Sequence, residues 1–87
     1  MTEYSELEKE LRKASDEGDT EASYRLAVLM RDGADGIPRR PFESSMFFKK
    51  ASDRDHVSAT VLLGLMYLEG LGVTADPRRA ADLFFKA

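Results

Sequence analysis

The chain has 87 residues, of which 43% are hydrophobic and 33% are charged. This length allows one small domain, and the composition is that of a folded protein rather than a disordered one. The formal net charge of -3 argues against a nucleic-acid partner, because proteins that bind phosphate backbones usually carry an excess of Lys and Arg.

The chain contains no cysteine, which excludes a disulfide framework, a thiolate nucleophile and a thiolate metal site. Its first ten residues show no basic stretch followed by an apolar run, so no signal peptide is predicted. From these two observations we expect a cytoplasmic location.

The first predicted helix runs from about Glu3 to Asp16, with Leu7, Leu11 and Ala14 turned inward at helical spacing. The charged residues of this helix are predicted to form a solvated surface. They are Glu6, Glu8, Lys9, Glu10, Arg12 and Lys13.

The second helix is predicted over about Thr20 to Asp32 and ends at Gly33, which can adopt the left-handed conformation that follows many helices. A glycine-containing turn follows. The third helix is predicted to begin at Pro41. Proline is favoured there because the N–H of the first helical position has no partner within the helix, so its absence costs no hydrogen bond.

The stretch from Val57 to Val73 is the most apolar part of the sequence. It is too short to cross a bilayer, which needs about 20 apolar residues. Because apolar residues lie almost all round the helical period, we predict a buried middle helix over about Val57 to Glu69. Gly70 ends it, and Asp76 is predicted to cap a last helix that begins at Pro77.

The sequence repeats itself, which determines the architecture. Ala22, Leu26, Met30 and Gly33 match Ala59, Leu63, Tyr67 and Gly70 at a separation of 37 residues. After the glycine turn the separation is 36 residues. The matched residues there are Pro41, Phe47, Phe48, Lys50 and Ala51 with Pro77, Leu83, Phe84, Lys86 and Ala87. The chain is therefore half a repeat followed by two whole ones.

The second copy carries a specific set of spaced residues: Ala59, Leu63-Gly64, Tyr67, Gly70, Gly72-Val73, Asp76, Ala80, Phe84 and Lys86-Ala87. This pattern resembles the Sel1-like repeat, a relative of the tetratricopeptide repeat. The resemblance implies an all-α, right-handed α-solenoid of antiparallel helix pairs, with five helices in two and a half repeats. It implies one domain over residues 1–87, with a half-repeat helix at 1–17, repeat 1 at 20–53 and repeat 2 at 56–87.

The first copy departs from the pattern at Ala27, Met30, Arg40 and Ser44. Arg40 replaces the capping aspartate, and an arginine cannot accept hydrogen bonds from the first helical turn. Its charge also opposes the positive end of the helix dipole. We therefore expect Arg40→Asp to stabilise the domain by roughly 0.5–1 kcal/mol, the usual value of a cap.

The resemblance implies that the first helices of the repeats line a concave surface that binds protein segments. Helical spacing places two stripes there: Glu21, Arg25, Val28 and Asp32 in repeat 1, and Ser58, Leu62, Leu65 and Glu69 in repeat 2. Apolar residues with charged edges are typical of a peptide groove. The predicted partner-binding residues are Arg25, Val28, Leu62, Leu65 and Glu69. The alternative is that Leu62 and Leu65 simply pack against the second helix of repeat 1.

The chain ends on Leu83, Phe84 and Phe85, although terminal repeats usually present a polar outer face. Either further repeats follow in a parent protein or this end associates with another copy as a homodimer. These three residues are the candidates for self-association.

No pattern points to catalysis, a cofactor or a metal. His56 precedes a predicted helix and is expected to act as a structural or capping residue, and Asp53 and Asp55 beside it lack a second ligand cluster. The basic pairs Arg39-Arg40, Lys49-Lys50 and Arg78-Arg79 could attract an acidic partner, but solvated outer helix faces are the simpler explanation. The sequence therefore predicts a non-catalytic protein–protein interaction module with a protein or peptide partner and neither nucleic acid nor membrane. The alternative is a structural module that self-associates.

Overall fold

The computed structural model describes residues 4–87 and contains five α-helices within them: α1 (Glu6–Asp16), α2 (Thr20–Asp32), α3 (Pro41–Ser52), α4 (Val57–Glu69) and α5 (Pro77–Lys86). Each helix packs mainly against the next one along the chain. The molecule measures 37 × 23 × 18 Å. The helices α2 with α3 and α4 with α5 form two repeated pairs, and α1 adds a single helix before them. This is the predicted all-α solenoid.

The helix ends follow the predicted signals. Gly33 and Gly70 adopt left-handed conformations, with φ of 72° and 71°, immediately after α2 and α4. Asp76 caps α5 because its carboxylate accepts a hydrogen bond from the N–H of Arg79 at 3.1 Å. The predicted start of the first helix near Glu3 is wrong, because α1 begins at Glu6; Glu3 itself lies outside the described residues.

The start of α1 is determined by Ser5. Its backbone is extended and its hydroxyl accepts a hydrogen bond from the N–H of Glu8 at 3.1 Å, which is the geometry of an N-cap.

Two apolar clusters form the core. The cluster at the junction of the two helix pairs contains Ala27, Phe48, Ala51, Ala59, Leu63 and Met66. The cluster beneath α1 contains Leu11, Ala22, Leu26, Met30 and Ile37. The expectation that α4 is buried all round is only partly right. Its junction side is covered by α3 and α5, whereas Val57 and Leu68 on another side are exposed.

A chain of hydrogen bonds recurs in both repeats and joins their helices. Lys50 Nζ donates to the carbonyl and hydroxyl oxygens of Ser15 at 2.8 and 3.0 Å, and the hydroxyls of Ser15 and Ser23 lie 2.6 Å apart. Lys86 makes the same contacts with Ser52 at 2.7 and 3.3 Å, and Ser52 lies 2.6 Å from the hydroxyl of Thr60. Each lysine thus places a positive charge at the C-terminus of a preceding helix, where the helix dipole is negative.

Glu8 is not part of a solvated surface, which corrects the prediction for α1. Its side chain is 1% exposed and contacts Arg12 and Arg40, and both arginines also bind Glu43. Burial alone raises the pKa of Glu8, but the hydrogen bonds from Arg40 and Arg12 outweigh it and hold that pKa below its usual range. The pKa of Glu43 is lowered for the same reasons.

The residues of the predicted basic pairs differ in their exposure and contacts. Arg40 belongs to this partly buried ion cluster and Lys50 binds the end of α1, so both make specific contacts within the fold. In contrast, Arg39, Lys49 and Arg78 are exposed.

Candidate protein-binding groove

The first helices of the two repeats, α2 and α4, are joined at their N-terminal ends by His56. Its Nδ1 accepts a hydrogen bond from the N–H of Ala59 at 3.1 Å, which confirms the predicted capping role. The ring proton therefore lies on Nε2, which donates to Glu21 at 3.0 Å. Tyr24 stacks on the imidazole with ring centroids 4.3 Å apart. The space between α2 and α4 is filled at this end.

At their C-terminal ends α2 and α4 leave a groove of about 380 Å³ between them. We call it the α2–α4 groove. It is lined by Arg31, Asp32, Arg39, Leu62, Leu65, Met66, Glu69 and Leu71. Three of the five predicted partner-binding residues, Leu62, Leu65 and Glu69, lie here together.

The two leucines of this groove differ in their surroundings. Leu62 is half-buried and packs against the junction cluster that contains Phe48. Leu65 is 38% exposed. The alternative prediction, that both leucines are simply core residues, therefore describes Leu62 better than it describes Leu65.

The other two predicted residues, Arg25 and Val28, do not line the α2–α4 groove. They line a separate shallow depression of about 220 Å³ on α2, together with Tyr24, Leu29 and Asp35. The structure therefore divides the predicted concave set in two.

The rim of the groove on the α2 side is held by an arginine network. Arg31 donates from Nε and Nη2 to the two carboxylate oxygens of Asp32 at 2.9 and 3.1 Å, and Arg39 Nε donates to the carbonyl oxygen of Arg31 at 3.1 Å. The hydrogen bonds from Arg31 lower the pKa of Asp32. Arg31, Asp32 and Arg39 thus place charged groups beside the apolar residues of the groove.

Sequence reasoning missed four lining residues: Arg31, Arg39, Met66 and Leu71. A signal existed for Arg31, since it occupies the position of Leu68 in the repeat and such positions face the next helix pair. Arg39 and Leu71 come from the turns, whose paths a helical period does not describe.

The C-terminal candidates for self-association also differ from one another. Leu83 is half-buried and packs against the junction cluster. The ring of Phe84 lies over Gly64, where a Cβ atom would come within 2.6 Å of it. Phe85 is 91% exposed.

Residues 4–87 contain no cluster of three or more histidine, aspartate or glutamate side chains suited to a metal ion. No helix among them combines the length and the apolar character needed to span a bilayer.

The fold and the groove define a helical-repeat protein of the solenoid class. The Sel1 repeat family model matches residues 20–56 and 57–87, and the chain belongs to this family. Proteins of the family generally mediate protein–protein interaction.

Individual relatives support the assignment. The chain is 34% identical over 70 residues to chitin synthase regulatory factor 2 of Schizosaccharomyces pombe. The matched stretch covers 80% of this chain and 14% of that protein. Among solved structures, it superposes on the SLR-fold antigen c5321 of uropathogenic Escherichia coli with a TM-score of 0.83 and 32% identity, covering 87% of this chain and 16% of that one. A Sel1 repeat protein from Oxalobacter formigenes shares the fold, with a TM-score of 0.85 and 24% identity. The match covers 91% of this chain and 60% of that one.

Proposed function

We propose that this chain is a non-catalytic module that binds a segment of another protein in the α2–α4 groove. The observation that carries the proposal is the exposed Leu65, which lines the groove together with other apolar side chains and with charged ones. Protein-binding sites combine an apolar centre with a polar rim in this way. The similarity to a protein named as a regulatory factor agrees with a role in binding.

The groove also restricts the kind of segment that would fit. Its volume of about 380 Å³ suits one or two apolar side chains rather than a whole helix. Arg39 on one rim and Glu69 on the other offer a guanidinium and a carboxylate to the polar groups that flank such an anchor. We therefore propose a short segment with an apolar anchor between polar residues.

The test is affinity capture with the immobilised chain, followed by identification of the bound protein and titration of the segment that binds. Leu65→Glu should weaken binding by at least about tenfold, because it replaces an exposed apolar side chain of the groove with a charged one. Val57→Glu is the matched control, since Val57 is exposed on the same helix but does not line the groove. Equal binding by the Leu65→Glu variant would show that the groove is not the site.

Self-association is a second candidate function, and the exposure of Phe85 favours it. Large apolar side chains that are this exposed usually mark an interaction surface when they lie in a patch. The two functions use different residues, so they can be tested separately.

A further inference from the structure

The helices α2 and α4 occupy equivalent positions in the two repeats, and each ends on an acidic residue, Asp32 or Glu69. A carboxylate at this place is unfavourable by itself, because the C-terminus of a helix is the negative end of its dipole. Both carboxylates are exposed and both line the α2–α4 groove. The two helix ends differ in the cations that the fold places beside them.

The end of α2 receives two arginines. Arg31 donates hydrogen bonds to both carboxylate oxygens of Asp32, and Arg39 comes from the turn to donate to the carbonyl oxygen of Arg31. The hydrogen bonds from Arg31 and the charges of both arginines hold the pKa of Asp32 below its usual range. The negative end of α2 is therefore neutralised within its own repeat.

The end of α4 has neither of these arginines. Leu68 occupies the position of Arg31 in the repeat, and Ala75 occupies the position of Arg39. The last turn of α4 contains no basic residue. Glu69 therefore adds a negative charge to the negative end of a helix dipole, without the cations that repeat 1 supplies at the same place.

The turn positions of Arg39 and Ala75 are equivalent in space as well as in sequence. A Cβ atom on Gly33 would meet the Cβ of Arg39 at 3.0 Å, and one on Gly70 would meet the Cβ of Ala75 at 3.2 Å. The two turns thus bring their residues to the same place against the helix end. What repeat 2 lacks is the guanidinium group, not the path of the chain.

The two arginines that line the groove are directed to α2 rather than to Glu69. Arg31 uses Nε and Nη2 for Asp32, and Arg39 uses Nε for the carbonyl oxygen of Arg31. The pKa of Arg31 is raised chiefly by its hydrogen bonds to Asp32, and Glu69 makes the weakest of the contributions to it. The α4 side of the groove therefore presents a carboxylate that is suited to an incoming cation.

The position of Glu69 relative to Leu65 restricts where that cation lies in a bound segment. The two residues are four apart on α4, so their Cβ atoms are neighbours at about 6 Å. A groove too small for a whole helix favours an extended segment. In an extended chain every second side chain points the same way, and these side chains are about 7 Å apart. Two side chains of this spacing match Leu65 and Glu69.

We propose that the segment bound in the α2–α4 groove carries an arginine or lysine two positions from its apolar anchor, and that this cation pairs with Glu69. The inference rests on the proposed function, because it names the chemistry of the segment bound at that site. The cation of the segment takes the place that Arg31 and Arg39 take at the end of α2. Arginine suits this role because its guanidinium can bind both oxygens of a carboxylate, as Arg31 does at Asp32.

Selection from a displayed library of short randomised peptides tests this specificity. The library is selected in parallel on the wild-type chain and on the Leu65→Glu and Glu69→Gln variants. Peptides enriched by the wild-type chain but not by Leu65→Glu are those that bind in the groove. Among them, arginine or lysine should be enriched two positions from an apolar residue, and this enrichment should disappear in the Glu69→Gln selection.

Titration of one selected peptide measures the contribution of the ion pair. Glu69→Gln should raise the dissociation constant about three- to fivefold, the upper range for an exposed pair, and should make binding less sensitive to salt. Glu10→Gln is the matched control, since Glu10 is an exposed glutamate on α1 that does not line the groove. Glu69→Arg should bind better than the wild-type chain to a peptide whose basic residue is replaced by glutamate. Circular dichroism would establish that each variant is folded.

The two proposals fail in different ways. Groove-binding peptides without a basic preference, or a preference that persists in Glu69→Gln, would overturn the inference and leave the groove as the binding site. So would a selected peptide that binds equally well when its basic residue is moved next to the anchor. Selection of the same peptides by the wild-type chain and by Leu65→Glu, or of no peptide at all, would overturn the proposed function and this inference with it.

Discussion

Arg40 and Glu8 are 32 residues apart in the chain, yet they form a two-pronged ion pair that fastens the start of α3 to α1. Nη2 of the arginine donates to Oε1 at 2.6 Å and Nη1 donates to Oε2 at 2.9 Å. Because the glutamate is buried, this geometry decides how α1 is held on the first repeat.

This ion pair reverses the expectation for Arg40→Asp. Arg40 indeed makes no capping bond at the start of α3, but removing it would leave Glu8 buried beside a second carboxylate. We expect the free energy of unfolding to fall by about 2–4 kcal/mol and the melting temperature to fall by more than about 8 °C. Thermal unfolding would measure this. The neighbouring Arg39→Asp is the control, and a rise in melting temperature would restore the capping interpretation.

The ion cluster also predicts how stability depends on pH. The pKa values of Glu8 and Glu43 lie below the ordinary value of 4.5 in the folded state. A carboxyl group with a lowered folded pKa contributes stability above its unfolded pKa, and this contribution is lost as the pH falls through the folded pKa. The melting temperature should therefore decrease below about pH 4.5. The Glu8→Gln variant should show a smaller decrease; an identical pH profile would contradict the assignment.

The lysine contact with the end of α1 predicts different effects for two adjacent lysines. Lys50→Met removes the charged donor that binds Ser15 and should cost about 1–2 kcal/mol. Lys49→Met removes only a surface pair with Asp53 and should cost less than about 0.5 kcal/mol. Chemical denaturation of the two variants measures the difference. Equal midpoints would show that the contact of Lys50 adds nothing to stability.

The glycine turns allow a second matched comparison. Gly36 and Gly72 occupy equivalent positions and both have positive φ, of 79° and 73°. A Cβ atom on Gly72 would overlap the backbone of Pro41, whereas one on Gly36 would meet only the Cβ of Ser5 at 3.6 Å. Gly36→Ala should therefore cost about 1 kcal/mol, the usual left-handed penalty, and Gly72→Ala clearly more. Melting temperatures compare them, and similar losses would indicate that the turn can move away from α3.

The repeat predicted most of the fold. The bounds of α2 and α4 agree with the structure because glycine follows each helix and the two copies reinforce each other. The burial of Glu8 could not be predicted, since a helical period shows which residues share a face but not that Arg40 will arrive from another helix. A regular spacing of charged residues looks the same whether water or a guanidinium lies opposite.

Only part of the groove was predicted, because a helical period again shows which residues share a face but not what another helix places beside them. Leu62, Leu65 and Glu69 lie together because they follow one face of α4. Of the stripe on α2 only Asp32 lines the groove, because Tyr24 and His56 fill the space between the helices at their N-terminal ends. That contact joins two aromatic rings from different repeats, and only a three-dimensional arrangement reveals it.

The lysine contacts described in the fold have a consequence for how the chain unfolds. Lys50 reaches from α3 to α1, and Lys86 reaches from α5 to α3, so each helix pair helps to hold the helix that precedes it. In a linear array of repeats, such coupling between neighbours decides whether the ends fray independently. This chain is therefore expected to unfold in a single cooperative transition, because separating α5 also releases the C-terminus of α3.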